Sequence, residues 1–276
     1  MTAWTRPLAA ATLGAFVLAG TACAQLPLPP GTPDYQPSVG QAGKDVVWVP
    51  TSQALVDRML DMAALTPQDS LVDLGSGDGR LVITAAKRGT QARGIEYDAD
   101  MVALSRRAAA AEGVAERARF EQADIFRAHF RDATVVTLFL LPELNMRLRP
   151  ILLEMPPGTR ILSNSFTMQD WQPDESVQVA EGCLGYCTAL KWTVPAQVAG
   201  TWRLGAQELV LRQQFQMLQG ELRGPAGSTP IFDARMHGTQ IGFNVGAVRY
   251  TGEVDGAAMR GSAGGQAFSA SRLPMR

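Results

Sequence analysis

The stretch Val72-Asp73-Leu74-Gly75-Ser76-Gly77-Asp78-Gly79-Arg80 decides how this chain is to be read. Ser70 to Leu74 predicts a short strand, and Arg80 to Arg88 carries apolar residues at helical spacing. A strand therefore turns into a helix through three closely spaced glycines. Glycine opens backbone angles closed to other residues and lets the main chain lie flush against a ligand. The amides that open the helix suit a carboxylate. A nicotinamide dinucleotide site calls for G-x-G-x-x-G, but here the third position counted from Gly75 is Arg80, and Gly79 stands one residue early.

Three acids extend the motif outward. Asp73 lies two residues before Gly75. Glu96 ends the next expected strand in Gly94-Ile95-Glu96-Tyr97, about 20 residues on, where a carboxylate can accept both hydroxyls of a ribose. Asp124 follows a third strand in Glu121-Gln122-Ala123-Asp124-Ile125, placed to receive an adenine amino group while Ile125 or Phe126 packs on the ring. The ligand indicated is S-adenosylmethionine, with its methionine end over the glycine turn. The expected cofactor-binding set is Asp73, Gly75, Ser76, Gly77, Asp78, Gly79, Glu96, Tyr97, Asp124 and Ile125.

Around this core the pattern alternates. Helices are expected over 52–64, 80–88, 100–112 and 144–154, with Thr51 or Ser52 capping the first and Asp98 or Asp100 the third. Strands are expected over 70–74, 92–97, 118–122, 134–141 and 159–164, then a closing pair at 176–180 and 188–195. This α/β order predicts a seven-stranded, Rossmann-like sheet of the class I methyltransferase type over 46–195. From 196 to 276 the helical pattern stops. Short alternating stretches at 202–204, 208–222, 231–236, 240–244, 247–254 and 257–262 are punctuated by glycines, which predicts an antiparallel β-rich module, a half-barrel or a sandwich.

Residues 46 to about 192 resemble the protein lysine methyltransferase family that includes the ATP synthase c-subunit lysine N-methyltransferase. The likeness rests on Val49-Pro50-Thr51, Leu71 through Ile83, Ala85-Ala86-Lys87-Arg88-Gly89, Gly94-Ile95-Glu96, Glu112-Gly113-Val114, Leu141-Pro142 and Trp171-Gln172-Pro173-Asp174. The resemblance implies methyl transfer from S-adenosylmethionine to a lysine amine of a protein, membrane-embedded proteins included. It implies catalytic candidates too, Trp171 as an aromatic wall and Asp174 as a polar guide; by position, Glu143 after Leu141-Pro142, where the acceptor channel usually opens, and Asn164 at the fifth strand's end join them. Glu143 reads equally as a first-turn acid favoured by the helix dipole. Where the family often has C-R-F-P, this chain has Ser163-Asn164-Ser165-Phe166, a departure on the acceptor side.

Residues 1–24 read as a signal peptide or membrane-targeting segment. Arg6 precedes the apolar run Leu8 to Gly20, and Ala22-Cys23-Ala24 offers cleavage before Gln25. Lipidation of Cys23 and an uncleaved anchor are the alternatives. Residues 25–45, rich in proline and glycine, read as a tether. Export to the periplasm or the outer membrane face follows, or a membrane tether, or a cytoplasmic protein if translation starts later. Cys183 and Cys187 form either a local disulfide or a pair of thiols, and with His129 and His237 they make no zinc ligand set, so no metal is expected. A net charge of −1, from 25 basic and 26 acidic residues, supplies no pull toward nucleic acid. Two further readings are a small-molecule N- or O-methyltransferase and an exported, non-catalytic nucleoside-binding protein.

Overall fold

The computed structural model describes Met1 and residues 35–274; the expected leader and most of the expected tether lie outside the described residues. The first layer of structure follows the alternating pattern. It comprises α1 (Gln53–Met62), β1 (Ser70–Leu74), α2 (Arg80–Lys87), β2 (Gln91–Glu96), α3 (Ala99–Ala111), β3 (Ala118–Gln122), β4 (Val135–Leu138), α4 (Pro142–Leu153), β5 (Arg160–Asn164), β6 (Glu175–Gln178) and β7 (Thr188–Thr193). Local chemistry sets the helix starts. The Ser52 hydroxyl accepts from the Leu55 amide at 3.3 Å, and the Asp98 carboxylate accepts from the amides of Asp100 and Met101. Of each pair of expected caps, Ser52 and Asp98 are the ones used.

The strands form one seven-stranded sheet in the order β3-β2-β1-β4-β5-β7-β6. Strands β1 to β5 run parallel, while β7 is antiparallel to β5 and β6 to β7. Every residue of β4 is buried, as expected of a central strand covered on both faces. The chain leaves β1 toward β2 and β3 on one side, then returns to lay β4 and β5 on the other. That reversal opens a crevice beyond the carboxyl ends of β1 and β4, where ligands of open α/β sheets bind.

The second layer is a closed antiparallel barrel, not the half-barrel or sandwich expected. It contains β8 (Gly200–Leu204), β9 (Gln207–Gln214), β10 (Met217–Gly224), β11 (Gly227–His237), β12 (Gln240–Val245), β13 (Val248–Asp255), β14 (Ala258–Ala263) and β15 (Gln266–Arg272). Two sequence features account for the difference. The stretch 208–222 contains a turn near Phe215 that makes a hairpin of β9 and β10. Beyond the last expected strand, β15 pairs with β8 through Ser271–Arg203 and Arg272–Trp202, which closes the ring and removes its free edges. The interior is filled by Trp202, Leu209, Met236, Phe243 and Met259, so the barrel is a packed core and not a channel.

Sheet and barrel are joined by specific contacts. Asp174 pairs with Arg235 of β11 and accepts from the Thr193 amide at 2.7 Å. Gln216 donates to the Gln172 carbonyl at 2.8 Å and to Asp174 at 3.3 Å. The Trp171 ring stacks on Phe215 with centroids 5.8 Å apart, and the Ala196 amide donates to Gly238 at 2.8 Å.

Candidate active site

A cavity of about 200 Å³ opens at the sheet's reversal point. Its floor is the glycine turn after β1. Gly75 and Gly77 have φ of +78° and +53°, a left-handed conformation that keeps side chains off the turn's open face. At Gly77 an added Cβ would sit 2.7 Å from Trp48 Nε1, so this glycine also lets a neighbouring segment close down on the turn. The turn is braced from behind. Ser105 of α3 donates to the Gly77 carbonyl at 3.0 Å, and Glu96 at the end of β2 accepts from the Gly77 amide at 2.9 Å. The other Glu96 oxygen accepts from the amides of Tyr97 and Asp98 at 2.7 and 3.0 Å. Glu96 thus shapes the pocket as well as facing it.

Asp73 lies at the bottom, buried, with Thr137 of β4 donating to it at 2.6 Å. Burial pushes its carboxyl up to about 7, the Thr137 bond opposes that, and the negative charges of Glu96 and Asp78 add to it. Beside it Ser76 lines the cavity, while its Oγ is turned into the packing, without a hydrogen-bond partner among the described residues and 2.5 Å from where a Cβ on Gly94 would stand. The absence of a side chain at Gly94 is what leaves room for this hydroxyl. Asp78 is held by Arg80 through its amide, Nε and Nη2, and Arg80 also donates to the Thr51 carbonyl at 2.9 Å.

The roof comes from residues 41–51, which fold back in a short hairpin with Gly40 and Trp48 linked at 2.8 Å. Residues 41–45, expected as part of the tether, therefore belong to the cavity wall. Lys44 donates to Asp124 at 2.9 Å and sits 5.0 Å from the Tyr97 ring centre. The Lys44 hydrogen bond, seconded by the Phe126 amide, holds the Asp124 carboxyl below the usual range. The acid expected to meet an adenine amino group is thus already engaged, and Lys44 must share or release it. Lys44 and Trp48 were missed in the sequence because neither belongs to the glycine motif; the only signal was the apolar onset Val46-Val47-Trp48-Val49-Pro50.

Of the expected cofactor set, Asp73, Gly75, Ser76, Gly77, Asp78, Glu96, Tyr97, Asp124 and Ile125 converge on the cavity. Gly79 does not. It caps α2 with φ +79°, and a Cβ there would meet Phe120 and Ser105 at 2.7 and 2.8 Å, so it is a packing glycine.

The expected catalytic candidates are corrected by position. Trp171 is fully buried at the joint with the barrel, stacked on Phe215, and its carbonyl accepts from Trp192 Nε1 at 2.8 Å. Asp174, with its side chain 5% exposed, is spent on Arg235, Gln216 and Thr193. Glu143 is exposed on the first turn of α4 while its neighbours Leu141 and Leu144 line the cavity. Asn164 is buried behind the wall, donating to Thr51 Oγ1 at 3.2 Å and accepting from Ser165. Beyond the ends of β4 and β5 the cavity is lined instead by Phe139, Phe166 and Tyr186. Cys183 and Cys187 are disulfide-bonded, which settles the open pairing in favour of the bond.

Comparison with known proteins places this geometry. A family model described as the ANTKMT methyltransferase domain matches residues 73–175. A protein-lysine N-methyltransferase of Saccharolobus islandicus (strain REY15A) is 37% identical over 148 residues, covering 52% of this chain and 92% of that protein. The chain is a class I, S-adenosylmethionine-dependent methyltransferase of this family. The human ATP synthase c-subunit lysine N-methyltransferase is 34% identical over 128 residues, covering 46% of this chain and 54% of its own length. A crystal structure of an RNA methyltransferase from Salinibacter ruber, in complex with S-adenosyl-L-homocysteine, matches at 45% identity and TM-score 0.51, covering 54% of this chain and 96% of that one. The methyltransferase residues fit the cofactor: a glycine turn that keeps side chains off its open face, and carboxylates for a cationic ligand with a ribose. When bound, S-adenosylmethionine supplies an electrophilic methyl group. The chain's own residues position the acceptor and keep water out.

Proposed function

We propose that this methyltransferase modifies lysine side chains of a protein, and that the acceptor belongs to a membrane or the cell envelope. The observation that carries the lysine assignment is the charge of the cavity. Asp45, Asp78, Glu96, Asp98 and Asp124 line it against Lys44 and Arg80, and Asp73, with its carboxyl raised to about 7, adds a partial charge. Such a lining attracts a cationic cofactor and a cationic acceptor, and repels the phosphates of a nucleic acid. The names of the Saccharolobus and human relatives support the same acceptor. For the compartment, support comes from the apolar run Leu8 to Gly20 and from the Cys183–Cys187 disulfide, since such bonds persist in oxidising surroundings. Chemically, a lysine amine must lose its proton before it attacks; desolvation in the cavity favours the neutral amine, and the carboxylates that attract the ammonium act against that.

The test is incubation of the full chain with methyl-labelled S-adenosylmethionine and, separately, envelope membranes, soluble protein, total RNA and a small-metabolite extract. Methyl-lysine recovered after acid hydrolysis of membrane protein supports the proposal. Label in soluble protein alone refutes the envelope part. Label in RNA or only in the metabolite extract refutes lysine. Cofactor binding without transfer to any fraction favours a non-catalytic binding protein.

A further inference from the structure

The glycine motif, Glu96 and Asp124 account for the half of the cavity at the ends of β1, β2 and β3. Nothing in that set explains the other half. There, Phe139 follows β4, Phe166 follows β5 and Tyr186 precedes β7. Their rings form a mutual cluster, with centroids 6.0 Å apart for Phe139–Phe166, 5.4 Å for Phe139–Tyr186 and 5.6 Å for Phe166–Tyr186. All three line the cavity. Phe139 and Phe166 are half-buried, whereas Tyr186 is 50% exposed and keeps ring surface uncovered.

Phe166 and Tyr186 are held by separate devices. The Phe166 carbonyl accepts from Ser163 Oγ at 2.8 Å and from Asn145 of α4 at 3.2 Å. Tyr186 has φ +53° and lies inside the five-residue loop closed by the Cys183–Cys187 disulfide. A non-glycine residue in that conformation needs its surroundings to hold it there. The neighbouring Leu184 is fully exposed and packs on nothing, so the loop gains little from a core of its own.

We propose that Phe139, Phe166 and Tyr186 form the acceptor wall of the methyltransferase, binding a flexible cationic amine side chain against aromatic surface, and that the Cys183–Cys187 loop is the positioning element for Tyr186. The proposal rests on the lysine reading above and names the residues that execute it. Aromatic faces attract ammonium groups, and rings also cover the aliphatic stem of a lysine. The acid excess on the opposite side of the cavity adds attraction of the same sign.

The test uses Nα-acetyl-Nε-trimethyl-lysine methylamide, a permanent cation, beside its neutral tert-butyl isostere. Each is titrated into the full chain saturated with S-adenosylhomocysteine, with proton shifts of the methyl groups as readout. The cation is expected to show a saturable upfield shift and to bind about 5- to 30-fold more tightly than the isostere, the range for a partly desolvated cation–π contact. Tyr186→Leu and Phe166→Leu are expected to remove most of that preference, and Tyr186→Phe to keep it. The double variant Cys183→Ser/Cys187→Ser is expected to weaken the cation with S-adenosylhomocysteine affinity unchanged. Absence of a saturable shift in the unaltered chain overturns the proposal, as does equal binding of cation and isostere. Equal loss of cofactor and probe in Tyr186→Leu also overturns it, because the ring then belongs to the cofactor. Failure of the lysine reading looks different: methyl label on something other than lysine in the fractionation above, whatever the probe does.

Discussion

Asp73→Asn is expected to make the cofactor-free protein more stable and a poorer cofactor binder. Asp73 is buried, and Thr137 donates to its side chain at 2.6 Å, a bond that an asparagine oxygen can also accept. Burial, with the charges of Glu96 and Asp78 behind it, raises the carboxyl from an ordinary 3.8 to about 7. In the folded state the group therefore holds its proton more tightly than in the unfolded state, so stability falls as pH rises from about 4 to about 7 and then levels off. At about 1.4 kcal/mol per pH unit, the gap between 3.8 and about 7 corresponds to about 4 kcal/mol of destabilisation above pH 7. For a folded unit of this size that amounts to a rise in melting temperature of about 10 °C in the variant. The assay is thermal unfolding of both proteins without cofactor at pH 5 and pH 8.5, followed by calorimetric titration with S-adenosylmethionine. The stability gain should be large at pH 8.5 and small at pH 5, while cofactor affinity drops. An equal change in melting temperature at both pH values, or a loss at both, would refute the assignment of Asp73 as a strained, buried acid.

Glu96→Ala should weaken cofactor binding by about 1.5–3 kcal/mol, the worth of a hydrogen bond to a charged group, and unchanged affinity in calorimetry would mean that the carboxylate serves only the Gly77, Tyr97 and Asp98 amides. Gly79→Ala should destabilise the fold by about 1–3 kcal/mol in urea unfolding, because φ +79° and contacts at 2.7 Å with Phe120 leave no room for a Cβ. Asp174→Ala should lower stability by about 1–3 kcal/mol through loss of its bonds to Thr193, Gln216 and Arg235. Its KM for cofactor and acceptor should stay unchanged; a folded variant with normal stability and no turnover would restore the polar-guide role.

Much of the first layer was legible because its signals are local. The glycine turn, the acids at successive strand ends and the helix caps at Ser52 and Asp98 act on neighbours within a few residues. Of the four catalytic candidates Trp171 and Asp174 rest on a family motif and Glu143 and Asn164 on position alone, and a motif says that a residue matters without saying to what. Trp171 and Asp174 turned out to tie the sheet to the barrel, through Phe215 and Arg235 more than 40 positions further on. The expected tether failed in the same manner at its end: Lys44 reaches Asp124 across a sequence separation of 80.

From its order of residues alone this protein declared a parallel sheet, a glycine turn shaped for an adenosyl ligand, and a β-rich tail. Strand period, glycine angles and capping are written in short windows. Closure of the tail into a barrel depended on β15 meeting β8, and the aromatic wall of the cavity depended on rings that follow β4 and β5 meeting one from the disulfide loop. Those are encounters between distant segments, decided by how the sheet reverses direction and by which surfaces have to be buried together.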